Sequence, residues 1–283
     1  MAYSFTVSGF ADEIDANVVK QFEHLNQLGI SYFEPRGIDG KNISELNDEE
    51  VLELKAKMEK YGIKVSSIGS PIGKIQITEP MEPHMELLAR VIKTAKMLDA
   101  KYIRIFSFFM PKGEDPATYR EEVMKRMKQM VELAEKEDVV LLHENEKGIY
   151  GDIACRCKDI LDTVKSDALG CVFDPANFVQ CGQKVYPDGF HMLKPYITYM
   201  HIKDAKEDGT VVPSGYGEGG LKHIIKKLKD MNYNGFLSLE PHLGSFQGLA
   251  ALELTDEMLK LEESGPDKFT MAYEALKNVI AEA

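Results

Sequence analysis

Cysteine is scarce in this sequence, and so is positive charge. Cys155, Cys157, Cys171 and Cys181 are the only four cysteines in 283 residues, and none is spaced C-x-x-C. Thiols so placed make no disulfide framework, and the expectation is reduced side chains packed into a cytoplasmic protein. No apolar run approaches the roughly 20 residues that a membrane span requires. The opening Met1-Ala2-Tyr3-Ser4 lacks the basic start and apolar stretch of a secretory signal, so neither membrane nor export is expected. Lys and Arg total 34 against 46 Asp and Glu, a formal net charge of −12. A field of that sign repels phosphate backbones, which makes nucleic acid a poor partner. It does tolerate a cation held in a carboxylate-lined cleft. Also missing are a Gly-rich dinucleotide fingerprint after the first β-rich run, a low-complexity tract and an interdomain linker.

What is present is an alternation. Short β-rich runs end in polar residues, and longer segments with helical spacing follow them. Strands are predicted at 5–10, 30–34, 64–68, 102–106, 139–142, 171–174, 197–201 and 235–240, and helices at 17–28, 49–61, 85–98, 119–136, 152–164, 221–231 and 268–281. Val18, Phe22, Leu25 and Leu28 form one apolar stripe, and Val123, Met127, Met130, Val131 and Ala134 another. Strands alternating with helices argue for a parallel sheet, because each crossover needs a helix. A (β/α)8 barrel takes about 250 residues, so one barrel domain spanning 1–283 is expected in the α/β class. Residues 244–264 form a long insert after the last strand, read either as a lid over the mouth or as a surface excursion.

The chemistry sits where the strands end. The fifth runs out in Leu142-His143-Glu144-Asn145-Glu146, the sixth in Val172-Phe173-Asp174, the seventh in Tyr199-Met200-His201-Ile202-Lys203 and the eighth in Leu237-Ser238-Leu239-Glu240. Four successive strands therefore each bring one good metal ligand to the C-terminal rim, where barrels of this kind carry their active sites. Taken singly, a strand-terminal Asp caps a helix and a lone His packs in a core. Four at once, in contact, require a cation or protons. Glu144, Asp174, His201 and Glu240 make an oxygen-rich set with one imidazole. That set suits one divalent ion, Mn2+ first, with Mg2+, Co2+ and Zn2+ compatible.

Strand alternation ranks the neighbours, since residues two apart share a face. Lys203 is expected beside His201, to hold substrate or to pair with Asp204 or Glu240. Glu146 should accompany Glu144, and His242 should accompany Glu240. His143 should turn away and be structural. On the second strand Glu34 and Arg36 are rim-placed. Arg36 is a candidate to bind a hydroxyl or carboxylate, with Glu34 neutralising it. Asp12 and Glu13 read as helix-start acids. The glycine-rich Gly215-Tyr216-Gly217-Glu218-Gly219-Gly220 is either a phosphate cradle or the turn that starts the next helix.

Several stretches together resemble the xylose-isomerase-like barrel superfamily of sugar epimerases, isomerases and dehydratases. They are Leu141-Leu142-His143-Glu144-Asn145-Glu146, Val172-Phe173-Asp174-Pro175-Ala176-Asn177, Tyr199-Met200-His201-Ile202-Lys203-Asp204 and Gly235-Phe236-Leu237-Ser238-Leu239-Glu240. The opening Gly9-Phe10-Ala11-Asp12-Glu13 and Tyr32-Phe33-Glu34 add to the likeness. The resemblance implies a TIM barrel in which Glu144, Asp174, His201 and Glu240 hold one metal. It also places Asn177 among the substrate-binding residues. Two positions depart from the ketose 3-epimerase pattern: Asn177 where those enzymes have His, and Glu207 where they have Arg. The further histidines of the apurinic endonucleases are missing too.

The implied function is isomerisation or epimerisation of a sugar, sugar acid or cyclitol. It would proceed by proton abstraction next to a carbonyl through a metal-stabilised enediolate, with Glu144 and Glu240 as the acid–base pair. A lyase of the inosose-dehydratase type is the alternative, and a non-catalytic sugar-binding barrel stands behind it. The expected partner is a small sugar or polyol. Homo-oligomers are common among such barrels, although no interface is legible in the sequence.

Overall fold

The computed structural model describes residues 4–246 and 262–283. Eight strands lie in chain order: β1 (Thr6–Gly9), β2 (Tyr32–Phe33), β3 (Lys64–Val65), β4 (Tyr102–Ile105), β5 (Val140–Glu144), β6 (Leu169–Phe173), β7 (Ile197–Ile202) and β8 (Phe236–Leu239). Six of them form one parallel sheet in the order β1-β8-β7-β6-β5-β4, and β2 pairs with β3 in parallel. One or two backbone bonds at each join link the two pieces. Glu34 N donates to Gly9 O at 2.9 Å, which links β2 to β1. Ile68 N donates to Tyr102 O at 2.8 Å, and Arg104 N donates to Ile68 O at 2.9 Å, which links the end of β3 to β4. The eight strands therefore close into a parallel barrel, as expected.

Helices cross between the strands: α1 (Val18–Gln27), α2 (Asp48–Tyr61), α3 (Glu82–Met97), α4 (Arg120–Glu137), α5 (Ala154–Val164), α6 (Pro175–Gln180), α7 (Phe190–Leu193), α8 (Leu221–Asp230) and α9 (Pro266–Glu282). Local chemistry sets several of their ends. Asn17 caps α1 by accepting from Val19 N and Lys20 N. Asn47 and Glu50 form a capping box on α2, which stops at Gly62 in the left-handed region at φ 67°. Because helices cover the outside of the sheet, strands such as β6 are buried at every residue.

The inward side of the barrel holds a small apolar cluster of Leu142, Val172 and Tyr199. Two residues further along the same strands, the inward positions become Glu144, Asp174 and His201. The sequence thus stacks a packed floor beneath a polar mouth.

Two features differ from expectation. β2 and β3 shrink to two residues each, because one or two bonds rather than ladders carry their ends. The short α6 and α7, and the ribbons Gly37–Ile38 with Lys41–Asn42 and Asp204–Ala205 with Val211–Val212, are too brief to leave a periodicity. Most of the 244–264 insert lies outside the described residues, and so does the reading of it as a lid. All four cysteines are free: Cys157 and Cys171 are buried, Cys181 is half-buried and Cys155 is exposed. Among the described residues, no helix is long and apolar enough to cross a membrane.

Candidate metal centre and active site

The pleat brings four side chains to one point. Glu144 ends β5, Asp174 follows β6, His201 lies in β7 and Glu240 follows β8. One ligand atom from each lies within 4.8 Å of all the others, and all four residues are buried. The ring of His201 directs Nδ1 into this group, 2.8 Å from Glu144 Oε1, 3.6 Å from Glu240 Oε2 and 4.0 Å from Asp174 Oδ2. Its other nitrogen, Nε2, faces Glu34 Oε2 at 3.3 Å. Asn145 locks the Asp174 backbone from both sides, accepting from Asp174 N at 3.0 Å and donating to Asp174 O at 2.9 Å.

Three buried cations surround the carboxylates. Lys203 Nζ lies 2.9 Å from Glu240 Oε2 and 3.2 Å from Asp174 Oδ2. Arg104 NH1 lies 3.3 Å from Glu144 Oε2 and 3.7 Å from Glu240 Oε1, its guanidinium near the rings of Phe10 and Phe106. Arg36 grips Asp12 with two bonds, Nε to Oδ2 at 2.8 Å and NH2 to Oδ1 at 2.9 Å, and reaches Glu240 Oε1 with NH1 at 3.0 Å. Behind Glu240, His242 Nε2 stands 3.5 Å from its Oε1 and 3.6 Å from Glu13 Oε1. His242 has the left-handed φ of 47°, and Glu13 accepts its backbone N–H at 2.7 Å. Strain of this kind persists only where the surroundings enforce it.

The charges do not balance. Asp12, Glu13, Glu34, Glu144, Asp174 and Glu240 are all buried, and among the described residues Arg36, Arg104 and Lys203 face them as permanent cations. The surplus shows in the titrations. Burial pushes Glu13 up to about 7 and, against the pull of Lys203, Asp174 up to about 6. Burial alone would hold His201 down, but Glu144 and Glu34 carry it well above the ordinary imidazole value. Burial raises Glu240 as well, and there Lys203 and His242 outweigh it and hold the carboxyl well below its usual range. Asp174 Oδ2 is buried with no hydrogen bond. A buried carboxylate oxygen that Lys203 Nζ reaches at 3.2 Å without making a hydrogen bond, a surplus of acid and an imidazole nitrogen aimed among them are what a divalent cation would satisfy. The residues present fit the ion that the sequence implied.

A sequence model of the xylose isomerase-like TIM barrel family matches residues 22–261. The chain belongs to this family. A search of curated proteins found no match. Solved structures share the xylose isomerase-like barrel at low identity. The IolI protein with a bound zinc atom is 18% identical, with a TM-score of 0.76 over 98% of this chain and 99% of that one. The probable 3-DHS dehydratase AsbF from Bacillus anthracis is 18% identical, with a TM-score of 0.72 over 98% and 99% of the two chains. D-psicose 3-epimerase from Clostridium cellulolyticum H10, solved with D-tagatose, is 17% identical, with a TM-score of 0.72 over 98% and 99%.

Within this xylose isomerase-like frame the other expected residues divide. Asn177 joins the cluster, donating to Glu144 Oε1 at 3.3 Å and to Asn145 O at 2.9 Å. Lys203, Arg36 and His242 join it too. Lys203 pairs with Glu240 and not with Asp204. Glu34 does not neutralise Arg36. It lies under His201, and Asp12 takes the arginine, because the turn at Ala11–Glu13 swings both acids inward. Asp12 and Glu13 do begin a short 3-10 turn, but they face Arg36 and His242 in the cluster, and α1 begins later under its own Asn17 cap. Glu146 lies beyond the end of β5, outside the four-residue group, and turns to Lys74 at 3.4 Å. His143 is buried against Ser107 Oγ at 2.9 Å, a structural histidine as expected.

The glycine-rich loop cradles a carboxylate of its own chain. Gly215 N, Gly217 N and Gly219 N donate to Asp204 at 2.9–3.0 Å, which leaves those N–H groups no phosphate to bind. Arg104 escaped the sequence reading altogether. Its signal was a cation in the middle of the apolar strand Tyr102-Ile103-Arg104-Ile105.

Proposed function

We propose that the chain is a divalent-metal-dependent isomerase or epimerase acting on a small sugar, sugar acid or cyclitol. The observation that carries this reading is the buried convergence of Glu144, Asp174, His201 and Glu240 from four successive strand ends. We propose Mn2+ as the ion, because three carboxylates and one imidazole form a hard set with a single nitrogen donor. Bound there, it supplies the Lewis acid that draws electron density from a substrate carbonyl.

The chain's own residues move the proton. Glu144 and Glu240 stand on either side of Asp174 and His201, so one removes the proton next to the carbonyl and the other returns it. Arg104 lies between them and favours the ionised form of both. Lys203, held well above its ordinary value against burial by Asp174 and Glu240, stays an ammonium that hydrogen-bonds substrate oxygen. Arg36 and His242 orient Glu240 from behind and line the approach, with Asn177 and Glu146 on the opposite flank. The four free cysteines suit a reducing compartment, and we propose a cytoplasmic location.

The second reading, a dehydratase, draws on the position of Lys203. An ammonium between Asp174 and Glu240 can hydrogen-bond a departing hydroxyl, which leaves as water with the proton that the base carboxylate removed, and product mass then falls by one water.

Elemental analysis of wild type and Asp174→Ala in parallel is the direct test, followed by a screen of keto-sugars, keto-acids and inososes under the metal found. About one ion per wild-type chain, lost in the variant, supports the reading. No metal in either, even after soaking with Mn2+, overturns it. In the active enzyme, Glu144→Gln or Glu240→Gln should lower kcat by about 10²–10⁴-fold with circular dichroism unchanged. Full activity in both variants would remove the assigned roles.

A further inference from the structure

We infer that Glu34 is a positioning residue: its buried carboxylate fixes the His201 ring so that Nδ1, and not Nε2, is presented for metal binding. The inference rests on the metal-site reading above and reassigns a residue that the sequence offered to the substrate.

Among the described residues, the side-chain carboxylate of Glu34 is met by three donors of this chain. Ser238 Oγ donates to its Oε2 at 2.7 Å and Tyr199 OH at 2.9 Å. His201 Nε2 lies 3.3 Å from Oε2 and 3.4 Å from Oε1. The chain of polar groups continues into the barrel, with Tyr199 OH 2.8 Å from Ser66 Oγ and Ser66 Oγ 2.6 Å from Ser8 Oγ. β1, β8 and the segments directly after β2 and β3 each contribute one side chain to it and β7 contributes two, and none of the six is more than 2% exposed. A carboxylate this deep and this occupied is shielded from substrate by the histidine above it.

An imidazole ligates through a nitrogen without a proton, so the other nitrogen must hold its proton against an acceptor. Nδ1 faces three carboxylates, and Nε2 faces Glu34. With the proton placed on Nε2 and accepted by Glu34, the Nδ1 lone pair points at Glu144, Asp174 and Glu240. The ring is also held sideways. Phe10 meets it edge-on at 5.2 Å between centroids and 77°, and Tyr199 at 5.8 Å and 83°. The aromatic contacts fix the plane of the ring, and Glu34 fixes which nitrogen faces the metal.

The test is Mn2+ affinity, measured by competition with a chelator on metal-stripped wild type and Glu34→Gln, with circular dichroism to verify the fold. Gln keeps the shape and an acceptor oxygen but loses the charge. The expected result is a Kd raised about tenfold to a hundredfold. The visible absorption of the Co2+-loaded variant should also be altered, which a purely structural role would not produce. Equal Mn2+ affinity and an identical Co2+ spectrum overturn the inference while leaving the metal site intact. Absence of Mn2+ binding by wild type overturns both this inference and the proposed function. Should Glu34→Gln fail to fold, Ser238→Ala, which removes one anchor of Glu34 and leaves its charge, carries the same test. A several-fold weaker Kd supports the inference, and an unchanged Kd overturns it.

Discussion

Arg36 shows how much depends on single residues in a mouth built of buried charge. Its guanidinium satisfies Asp12 through two bonds and Glu240 through a third, with Glu13 at 3.4 Å, and it lies over the Phe10 ring at 4.4 Å. Removing one partner of a buried ion pair leaves an uncompensated charge, which costs about 3–5 kcal/mol, far more than a surface pair contributes. Arg36→Ala is therefore expected to lower unfolding stability by about that amount in urea titration. Arg36→Lys, which keeps the charge but loses the planar fork, should recover only part of it. Lys20–Asp15 is a control of the opposite kind, with the lysine side chain 64% exposed. Lys20→Ala should change stability by less than about 1 kcal/mol. Equal losses at the two positions would contradict the account of the buried network.

Among the elements, the loops at the mouth are held by close approaches that tolerate no added atom. A Cβ on Gly217 would meet Ala205 O at 2.3 Å and Asp204 Oδ1 at 2.5 Å, so Gly217→Ala pries the loop off the carboxylate that anchors it. The expected loss is about 1–3 kcal/mol in thermal or urea unfolding. Gly182→Ala, where nothing lies within 4 Å but φ is 68°, should cost about 1 kcal/mol through backbone strain alone.

A second loop brings a pH dependence. Gly73 N donates to His84 Nε2 at 2.7 Å, a bond that only a neutral imidazole accepts. Burial, then Arg126, holds His84 down at about 4. The unfolded chain takes up that proton near pH 6.5, so between about 6.5 and 4 the unfolded state binds more protons than the fold. Stability from His84 is complete above about pH 6.5 and is lost as pH falls toward 4. His143, lowered to about 4 by burial, acts in the same direction. Urea midpoints at pH 7.5 and 5 should fall further apart in wild type than in His84→Gln. Equal spacing would remove His84 from the account.

Legibility follows the same division between local and distant causes. The eight strand positions and the convergence of Glu144, Asp174, His201 and Glu240 could be read because each depends on its own strand: an apolar run, a period of two and a polar residue at the end. Arg104 could not be paired in advance, since its partners Glu144 and Glu240 lie 40 and 136 residues away and only barrel closure brings them near. Asp12 looked like a helix-start acid because nothing local reveals that Arg36 waits 24 residues on. Glu34 was placed correctly at the rim end of β2 but given the wrong neighbour. Its alternation with Arg36 was visible, whereas the His201 ring above it was not.

For the whole molecule, a net charge of −12 and a mouth with, among the described residues, six buried carboxylates against three permanent cations make the fold unstable at its own centre. The surplus can be relieved by protons, as Glu13, Asp174 and His201 show, or by a divalent cation. A ligand that binds only the folded state adds stability of RT ln(1 + [L]/Kd), about 2.7 kcal/mol at a hundredfold excess over Kd. For a chain of this size that corresponds to a rise in Tm of about 5–10 °C, taking about 2–4 °C per kcal/mol. The increment should be lost in Asp174→Ala, which removes a ligand, and kept in Lys20→Ala, which changes the net charge far from the site. Long-range relief of the −12 field would respond equally to Mn2+ and to added NaCl of matched ionic strength, because salt screens exposed charge beyond about 10 Å. Coordination at the four strand ends would respond to Mn2+ alone. Calorimetry of the three proteins with Mn2+ and with NaCl separates the two. A Tm rise specific to Mn2+ and to Asp174 ties stability to the four strand ends, and a rise shared by all three proteins and both salts would assign it to the general charge of the chain.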